Sequence, residues 1–288
     1  MPKLIRHVVH LQAETGFYSS QEIGLVPTMG NLHEGHLSLV KESIAKNKVT
    51  IVTIFVNPKQ FGPAEDFEKY PRTIEQDLEK LEKLELRSDQ KLFVFSPATI
   101  DQIYPIGFST TISISGITNI LCGATRPGHF DGVTTVVYQL FNISKAGHAY
   151  FGQKDYQQVK VIERMVLDLR LYVKVYMLPI ARDEDGLALS SRNQYLKKDE
   201  RTAALILPNK LLKIENLLKE TTWVHAYHLI NIELEETLND ERWEYLEVLD
   251  AETLQQIGSE TKKVSILGAF KSQNARLIDN RLVDIVHA

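Results

Sequence analysis

The chain has 288 residues, of which 43% are hydrophobic, so it can bury a large core and is long enough for two domains. Its formal net charge of −4 argues against a nucleic-acid-binding protein, which normally carries a basic face. The single cysteine, Cys122, excludes a disulfide framework, and no apolar run is long enough for a signal peptide or a membrane span. We therefore expect a cytoplasmic protein with no membrane or nucleic-acid partner.

The first patterned segment of the chain is an apolar run at residues 23–26, which predicts a short buried strand. Apolar residues then recur at helical spacing over residues 37–44, so a helix should begin near Gly35. Between the strand and the helix lies Pro-Thr-Met-Gly-Asn-Leu-His-Glu-Gly-His, residues 27–36. The predicted strand therefore reaches a helix N-terminus through a turn that contains glycine.

This turn has the chemistry of a phosphate-binding site. Backbone N–H groups and the positive end of the helix dipole favour an anion at a helix N-terminus. His33 and His36 add two imidazoles at the same end. A metal site is the less favoured alternative, because the histidines do not have the spacing of the zinc protease motif and no third ligand is evident.

The next predicted strand, at residues 49–56, is rich in β-branched residues and should be buried on both faces of a parallel sheet. Strand, helix and strand form a βαβ unit, and such sheets bind ligands at the carboxyl ends of their strands. Asn57 and Gln60 follow this strand, so we expect their amides to line a pocket. An ordinary Asn-Pro turn is the alternative interpretation.

Further elements follow in the same α/β order. We predict helices at residues 73–86 and from Asp131 onward, and strands at residues 92–95, 111–115, 148–151 and 173–178. The abundant Glu and Lys residues of the helix at 73–86 are interpreted as a solvated face.

A second glycine turn, Gly-Gln-Lys-Asp at residues 152–155, follows a predicted strand and precedes another predicted helix. Lys154 at a strand end suits a phosphate, and Asp155 suits a ribose hydroxyl, a helix cap or an indirect metal contact. Later in the chain, Ser-Ser-Arg at residues 190–192 offers two hydroxyls and a guanidinium to phosphate oxygens.

The polar turn that begins at Asp183 has the composition of a hinge, so we place a domain boundary there. The first domain then spans residues 1–183 and the second residues 184–288. In the second domain we predict a small α+β unit with a helical region from Lys198 that Pro208 should kink or split. Its further elements are a helix at 223–238 and strands at 244–249, 264–270 and 276–278.

Several stretches of the chain resemble one enzyme family. Pro-Thr-Met-Gly-x-Leu-His-x-Gly-His resembles the nucleotide-binding signature of the pantothenate synthetase (pantoate–β-alanine ligase) family. The stretches Asn-Pro-x-Gln-Phe, Arg-Pro-Gly-His-Phe-x-Gly-Val, Gly-x-Lys-Asp-Tyr-Gln-Gln and Ser-Ser-Arg-Asn also resemble it. This family belongs to the His-x-Gly-His nucleotidylyl transferases, which are related in fold to class I aminoacyl-tRNA synthetases. Cys122 stands where the family more often has glutamate, and Leu189 stands where it has methionine.

The resemblance implies a Rossmann-like first domain, a smaller C-terminal α+β lid domain, and a role for each motif residue. The residues implied to bind ATP are Met29, Gly30, Asn31, Leu32, His33, Glu34, Gly35, His36, Gly152, Gln153, Lys154, Asp155, Ala181, Leu189, Ser190, Ser191 and Arg192. Those implied to bind pantoate or β-alanine are Thr28, Met29, Asn57, Gln60 and Gln158. The implied catalytic residues are His33, His36, Lys154 and Arg192, and no protein metal ligand is assigned.

The implied activity is ATP-dependent condensation of (R)-pantoate with β-alanine to pantothenate, in coenzyme A biosynthesis, through a pantoyl adenylate. The resemblance also implies a homodimer and Mg²⁺ held largely by phosphates. Two alternatives are another nucleotidylyl transferase of the same superfamily and a nucleotide-binding regulator that has lost catalysis. The former would lack the two glutamine stretches, and the latter would be damaged at His33, His36 or Lys154, all of which are present.

Overall fold

The computed structural model describes residues 1–63, 65 and 67–287. These residues fall into two compact units, which are interleaved in the sequence. The first unit comprises the described residues of 1–119, 126–153 and 158–179, and the second comprises 120–125, 154–157 and those from Ile180 onward. The division into domains at residues 1–183 and 184–288 stays a prediction.

The first unit is built on a parallel sheet. Its strands in the described part of the chain are β1 (Lys3–Ile5), β2 (Ile23–Thr28), β3 (Val49–Ile54), β4 (Lys91–Phe95), β5 (His148–Gly152) and β6 (Lys174–Leu178). They lie in the order β1-β4-β3-β2-β5-β6, with parallel neighbours throughout. The strand order reverses between β2 and β5. The carboxyl ends of these two neighbours therefore form the topological switch point, where open α/β sheets bind their ligands.

Both faces of this sheet are covered by helices. Along β3, Val49 and Ile51 pack into one apolar cluster and Val52 packs into another, because successive strand residues point to opposite faces. The helices of the first cluster are α1 (Val8–Thr15), α5 (His129–Ser144) and α6 (Tyr156–Asp168), and those of the second are α2 (Glu34–Lys46) and α3 (Ile74–Glu82). A strand buried on both faces has no alternating polar face, which explains the nearly continuous β-branched run that predicted it. The predicted α/β fold class is confirmed.

The second unit contains an antiparallel sheet in the order β7-β8-β9. Its strands are β7 (Trp243–Asp250), β8 (Lys263–Lys271) and β9 (Arg276–Asp284), and its helices are α4 (Cys122–Thr125), α7 (Lys198–Ala204), α8 (Ile206–Glu220) and α9 (Trp223–Leu238). Pro208 lies in the first turn of α8, where a missing N–H removes no helical hydrogen bond. The predicted break in this helical region is therefore confirmed. No helix in the described part of the chain combines the length and apolarity that a membrane span requires.

The predicted strand at residues 111–115 is wrong. The Ile112 N–H donates to Thr135 Oγ1 at 3.0 Å, and Thr134 Oγ1 donates to the Ile112 carbonyl at 2.5 Å. Because side chains of α5 satisfy this backbone, the segment needs no neighbouring strand. Its alternating pattern arises because Ile112 and Ile114 pack against the first apolar cluster. The sequence analysis also misses β1 and α1, and it makes β9 too short.

Candidate active site

The turn after β2 is set by two successive residues with positive φ. Gly30 has a φ of 85° and Asn31 a φ of 51°, a region that glycine adopts freely and asparagine tolerates. The Gly30 N–H donates to Thr28 Oγ1 at 3.2 Å, and the Thr28 hydroxyl donates to the backbone oxygen of Thr53 at 2.6 Å. Strand β3 therefore fixes the last residue of β2, and that residue fixes the turn.

His33 and His36 meet at the start of α2, as predicted from their spacing. His33 is the N-cap residue, with an extended backbone, and its carbonyl oxygen accepts from the N–H of His36 at 2.8 Å. The His33 N–H donates to His36 Nδ1 at 3.4 Å, and the two ring centroids are 4.0 Å apart. In a neutral His36 this hydrogen bond places the ring proton on Nε2. The helix N-terminus thus carries two adjacent imidazoles.

The structure brings the turn after β2 together with the amides that follow β3. Asn57 Nδ2 donates to Gln60 Oε1 at 3.1 Å, and Gln60 Nε2 lies 3.2 Å from the sulfur of Met29. Asn57 is only 1% exposed, whereas Gln60 is half-buried. Residues at the ends of two neighbouring strands therefore orient the side-chain amide of Gln60.

Two residues that support Asn57 are missed by the sequence analysis. Tyr104 donates its hydroxyl to Asn57 Oδ1 at 2.7 Å, and Asn57 Nδ2 also donates to the Gly132 carbonyl at 3.1 Å. Burial raises the pKa of Tyr104 far more than the Asn57 hydrogen bond lowers it, so the phenol stays protonated as a donor. A Cβ at Gly132 would lie 2.2 Å from the Lys59 carbonyl oxygen, so only glycine permits this close approach. The sequence did contain a signal for this close approach, because Gly132 lies inside a predicted helix, where glycine is disfavoured.

A charged cluster lies against the backbone of Gln60. Arg126 pairs with Glu65 through two hydrogen bonds of 2.7 and 2.6 Å, and its Nη1 lies 3.0 Å from His129 Nε2. His129 Nδ1 lies 2.8 Å from the Gln60 carbonyl oxygen, which can only accept, so Nδ1 carries the proton. Burial raises the pKa of Glu65, but Arg126 outweighs this effect and the net pKa lies below its ordinary value. Arg126 and His129 belong to the stretch Arg-Pro-Gly-His-Phe-x-Gly-Val, but the sequence does not indicate their acidic partner.

Lys154 and Asp155 belong to a 3-10 turn, Gln153–Asp155, which directly follows Gly152, the last residue of β5. Lys154 Nζ lies 3.7 Å from Asp155 Oδ2, and the lysine side chain is 20% exposed. The side-chain amide of Asn280 donates to the Lys154 carbonyl at 3.0 Å. Asn280 of strand β9 and Lys154 both belong to the second unit, although they are far apart in sequence.

A small hairpin precedes the serine-arginine stretch. The Leu189 N–H donates to the Ala181 carbonyl and the Asp183 N–H donates to the Leu187 carbonyl, both at 2.9 Å. Gly186 lies in its turn with a φ of 89°. The segment predicted as a hinge therefore forms the tip of a hairpin in the second unit.

Ser190 directly follows this hairpin and caps a 3-10 turn, Ser191–Tyr195. Its Oγ accepts from the Arg192 N–H at 3.3 Å, and the Asn193 amide donates to the Ala188 carbonyl at 3.0 Å. The structure therefore fixes the backbone of this stretch.

Gln158 lies in the first unit, in the opening turn of α6, and is half-buried. The ligand roles assigned to Gln158 and to the preceding site residues stay predictions.

Cys122 lies in a polar environment. Its sulfur lies 3.0 Å from the Tyr245 hydroxyl and 3.4 Å from Arg276 Nη2, while Arg276 Nε donates to Glu244 at 2.7 Å. A glutamate at this position would be a second carboxylate beside Arg276. Because Cys122 carries a thiol instead, the carboxylate that pairs with Arg276 in the structure is that of Glu244.

The Glu residues of α3 (Glu75, Glu79 and Glu82) are exposed, as predicted, but the helix also carries one buried carboxylate that the sequence analysis misses. Asp77 is fully buried and accepts from the N–H groups of Asn31 at 2.9 Å and Leu32 at 2.7 Å. The sequence held a signal, because Asp77 lies three residues after Ile74 and four before Leu81, on the apolar stripe of the helix. A carboxylate in such a stripe needs hydrogen-bond partners from elsewhere in the fold.

In the part of the chain that the structure describes, no group of three or more His, Cys, Asp or Glu side chains could hold a metal ion. The donors at this place are the backbone N–H groups in the first turn of α2 and the two imidazoles, which suit phosphate oxygens. This arrangement fits a Mg²⁺ ion that arrives on a nucleotide, because Mg²⁺ is commonly held by substrate phosphates with few protein carboxylates.

The chain is similar to proteins of one family along nearly its whole length. Residues 3–282 match the family model described as pantoate-β-alanine ligase. The chain is 46% identical over 267 residues to a pantothenate synthetase of Acetivibrio thermocellus, covering 91% of this chain and 92% of that protein. It is also 46% identical to a pantothenate synthetase of Thermosipho africanus, covering 92% and 93% of the two chains.

Solved structures give the same result. A pantothenate synthetase from Thermus thermophilus superimposes with a TM-score of 0.86 at 38% identity, covering 97% of this chain and 98% of that one. A pantoate-β-alanine ligase from Francisella tularensis, crystallised with β-γ ATP and β-alanine, gives a TM-score of 0.74 at 34% identity, with 98% of both chains covered. The chain therefore belongs to the pantoate–β-alanine ligase family of enzymes.

Proposed function

We propose that this chain condenses (R)-pantoate with β-alanine to form pantothenate, at the expense of ATP and through a pantoyl adenylate. The observation that carries the proposal is the turn with His33 and His36 at the carboxyl end of β2, in a chain whose family match covers residues 3–282. This turn lies where the strand order reverses, and it leads into the N-terminus of α2, which offers N–H groups and imidazoles to phosphate oxygens.

The reaction divides into two balanced steps. In the first, a carboxylate oxygen of pantoate attacks the α-phosphorus of ATP, and the bond from that phosphorus to the bridging oxygen of pyrophosphate breaks. In the second, the amine of β-alanine attacks the acyl carbon, the bond to AMP breaks, and the amine loses a proton. Both steps build negative charge on phosphate oxygens, so the site must supply cationic and N–H donors more than a nucleophile.

His36, with its proton on Nε2, would donate to a phosphate oxygen as charge develops, and His33 would do so beside it. Lys154 and Arg192 would add fixed positive charge to the same phosphates. The further proposed ATP contacts come from Met29, Gly30, Asn31, Leu32, Glu34, Gly35, Gly152, Gln153, Asp155, Ala181, Leu189, Ser190 and Ser191. These roles rest on the chemistry of the residues and on their family motifs.

Gln60 and Gln158 would recognise pantoate, because each amide can donate to a carboxylate and accept from a hydroxyl. Thr28, Met29 and Asn57 would complete this pocket. The contacts of Gln60 with Asn57 and Met29 support its part in the proposal, since they fix an amide at the carboxyl edge of the sheet.

We further propose that ATP is used with Mg²⁺ and that the enzyme is a cytoplasmic homodimer. Mg²⁺, when bound, would neutralise charge on the phosphates and so ease the approach of the pantoate carboxylate. Omitting Mg²⁺ from the assay tests the metal, measuring the mass of the protein by light scattering tests the dimer, and fractionating cells tests the location.

The test of the function is isotope exchange. Labelled pyrophosphate should enter ATP when pantoate is present and β-alanine is absent, because the adenylation step is then reversible by itself. Pantothenate should form only when all three substrates are present. Exchange without pantoate, or exchange that requires β-alanine, would contradict the proposed adenylate. No reaction with pantoate at all would contradict the proposed substrate.

A further inference from the structure

Asp77 binds the phosphate-binding turn from the neighbouring helix α3. Its Oδ1 accepts from the Leu32 N–H at 2.7 Å and its Oδ2 from the Asn31 N–H at 2.9 Å. The hydroxyl of Thr73 also donates to Oδ2, at 3.3 Å. Because the Asp77 side chain is fully buried, these donors take the place of water around the carboxylate.

The backbone that Asp77 accepts from has an unusual shape. Gly30 and Asn31 both have positive φ, and Asn31 and the residue after it direct their N–H groups toward one carboxylate. Successive N–H groups arranged in this way form a concavity that binds anions. Asp77 supplies an internal anion to that concavity, and hydrogen bonds to a charged acceptor are about twice as strong as neutral ones.

A second residue of α3 holds the same segment. Lys80 Nζ donates to the Leu32 carbonyl oxygen at 2.6 Å, so α3 binds both the N–H and the C=O of Leu32. Leu32 is 1% exposed and directly precedes His33, the N-cap of α2. A displacement of Leu32 would therefore move His33 through the covalent chain.

The turn also has little room to shift. A Cβ placed on Gly30 would lie 3.2 Å from Asp77 Oδ2 and 3.0 Å from the Ile54 side chain. The turn is thus confined between the end of β3 and the carboxylate of α3. This confinement is a property of the folded unit, because Asp77 and Leu32 are 45 residues apart in sequence.

We propose that Asp77 is a positioning residue of the adenylation reaction, which acts by fixing the turn that presents His33 and His36 to phosphate. This inference rests on the proposed function of that turn. Asp77 does not need to touch the substrate in this role. It sets where the backbone and imidazole donors lie before ATP binds.

The test compares Asp77→Asn with Glu79→Gln, a matched loss of charge at an exposed position of the same helix. Asparagine keeps the shape of Asp77, but its NH2 group cannot accept from the second N–H. We expect exchange turnover of Asp77→Asn to fall roughly 10- to 100-fold, the cost of a misplacement of about 1 Å. The KM for pantoate should stay within about twofold. Glu79→Gln should match the unmodified chain.

A second measurement separates positioning from a loss of folded protein. The ring signals of His33 and His36, assigned by NMR from His33→Ala and His36→Ala, should move in folded Asp77→Asn and not in Glu79→Gln. Lys80→Met should shift the histidine signals by a smaller amount. If Asp77→Asn does not fold, the Lys80→Met spectrum tests the positioning role in its place. If the histidine signals do not move in the folded variants, the proposal is overturned. It is also overturned if turnover falls only in proportion to the amount of folded protein. If the unmodified chain shows no exchange, the proposed function fails, while the NMR comparison still tests the positioning role.

Discussion

The turn after β2 in the first unit and the ion pairs of the second unit hold buried polar groups in different ways. In the first unit, the turn after β2 is fixed by bonds between side-chain oxygens and the backbone, through Thr28 and Asp77. In the second unit, the buried carboxylates of Glu215, Glu233 and Asp279 pair with basic side chains. Glu244 likewise binds Lys271 at 2.9 Å and Arg276 at 2.7 Å.

Strand β9 shows the second arrangement most clearly. The side chain of Asp279 is only 1% exposed, and both terminal nitrogens of Arg182 donate to it, at 2.7 and 2.8 Å. Arg281 of the same strand pairs with Glu215 of α8, which also binds Lys219. These pairs join side chains to side chains across different elements.

The contrast between backbone hydrogen bonds and ion pairs predicts which variants should change activity and which should change stability. Bonds to the backbone fix the position of a short segment, so their loss should displace the site more than it unfolds the chain. Removing one member of a buried ion pair leaves an uncompensated charge, which costs stability directly. We therefore expect variants of the second unit to lower stability and variants of the turn to lower activity.

The largest effect should come from Arg182→Met. It leaves the carboxylate of Asp279 buried without its guanidinium and should lower the free energy of unfolding by about 3–5 kcal/mol. Chemical denaturation measures this loss. Arg164→Met is the control, because Arg164 forms an exposed pair with Asp168 and should change stability by less than about 1 kcal/mol. Equal effects of the two substitutions would remove the distinction between the units.

His36→Ala should show the opposite behaviour. Loss of one transition-state donor should reduce turnover by roughly 10²–10³-fold, while the fold is retained. Steady-state kinetics and a thermal unfolding curve on the same sample measure both properties. A variant with nearly normal turnover would remove His36 from the mechanism, and a variant that unfolds would make the turn a structural element.

A smaller and more selective effect is expected for Gln60→Leu and Gln158→Leu. Each removes hydrogen bonds and should weaken pantoate binding by roughly 1–3 kcal/mol, while ATP binding changes little. Glutamate at either position should be worse, because it sets a second anion beside a carboxylate and a triphosphate. Calorimetric titration of each ligand into each variant measures the difference. Equal losses for pantoate and ATP would mean that the glutamines support the fold.

The smallest effect should be an acid-dependent loss of stability from Glu244. Burial raises the pKa of this carboxyl, but Lys271 and Arg276 outweigh it, so the folded pKa lies below the ordinary 4.5. A lowered folded pKa gives stability that is present above pH 4.5 and is lost as the pH falls through the folded value. The melting temperature, measured across this pH range, should fall less steeply with decreasing pH for Glu244→Gln than for the unmodified chain. An unchanged slope would contradict the role of this pair.

Much of the fold could be predicted from local patterns. The strands at β2, β3, β4 and β5 are short apolar runs, and the helix α9 was predicted with the bounds that the structure shows. These predictions succeed because a residue's face in a strand or helix depends on its spacing from its neighbours. The segment at residues 111–115 fails for the complementary reason, since its backbone partners are side chains of α5.

The family, the two glycine turns and the pairing of His33 with His36 follow from the order of the amino acids, because each depends on residues close together in the chain. The groups that orient those residues become evident only in the folded protein. Asp77 joins Leu32 across 45 residues, and Arg126 joins Glu65 across 61. Hydrophobic periodicity does not identify partners so distant in sequence, because the packing of whole helices and strands determines which groups a buried polar side chain contacts.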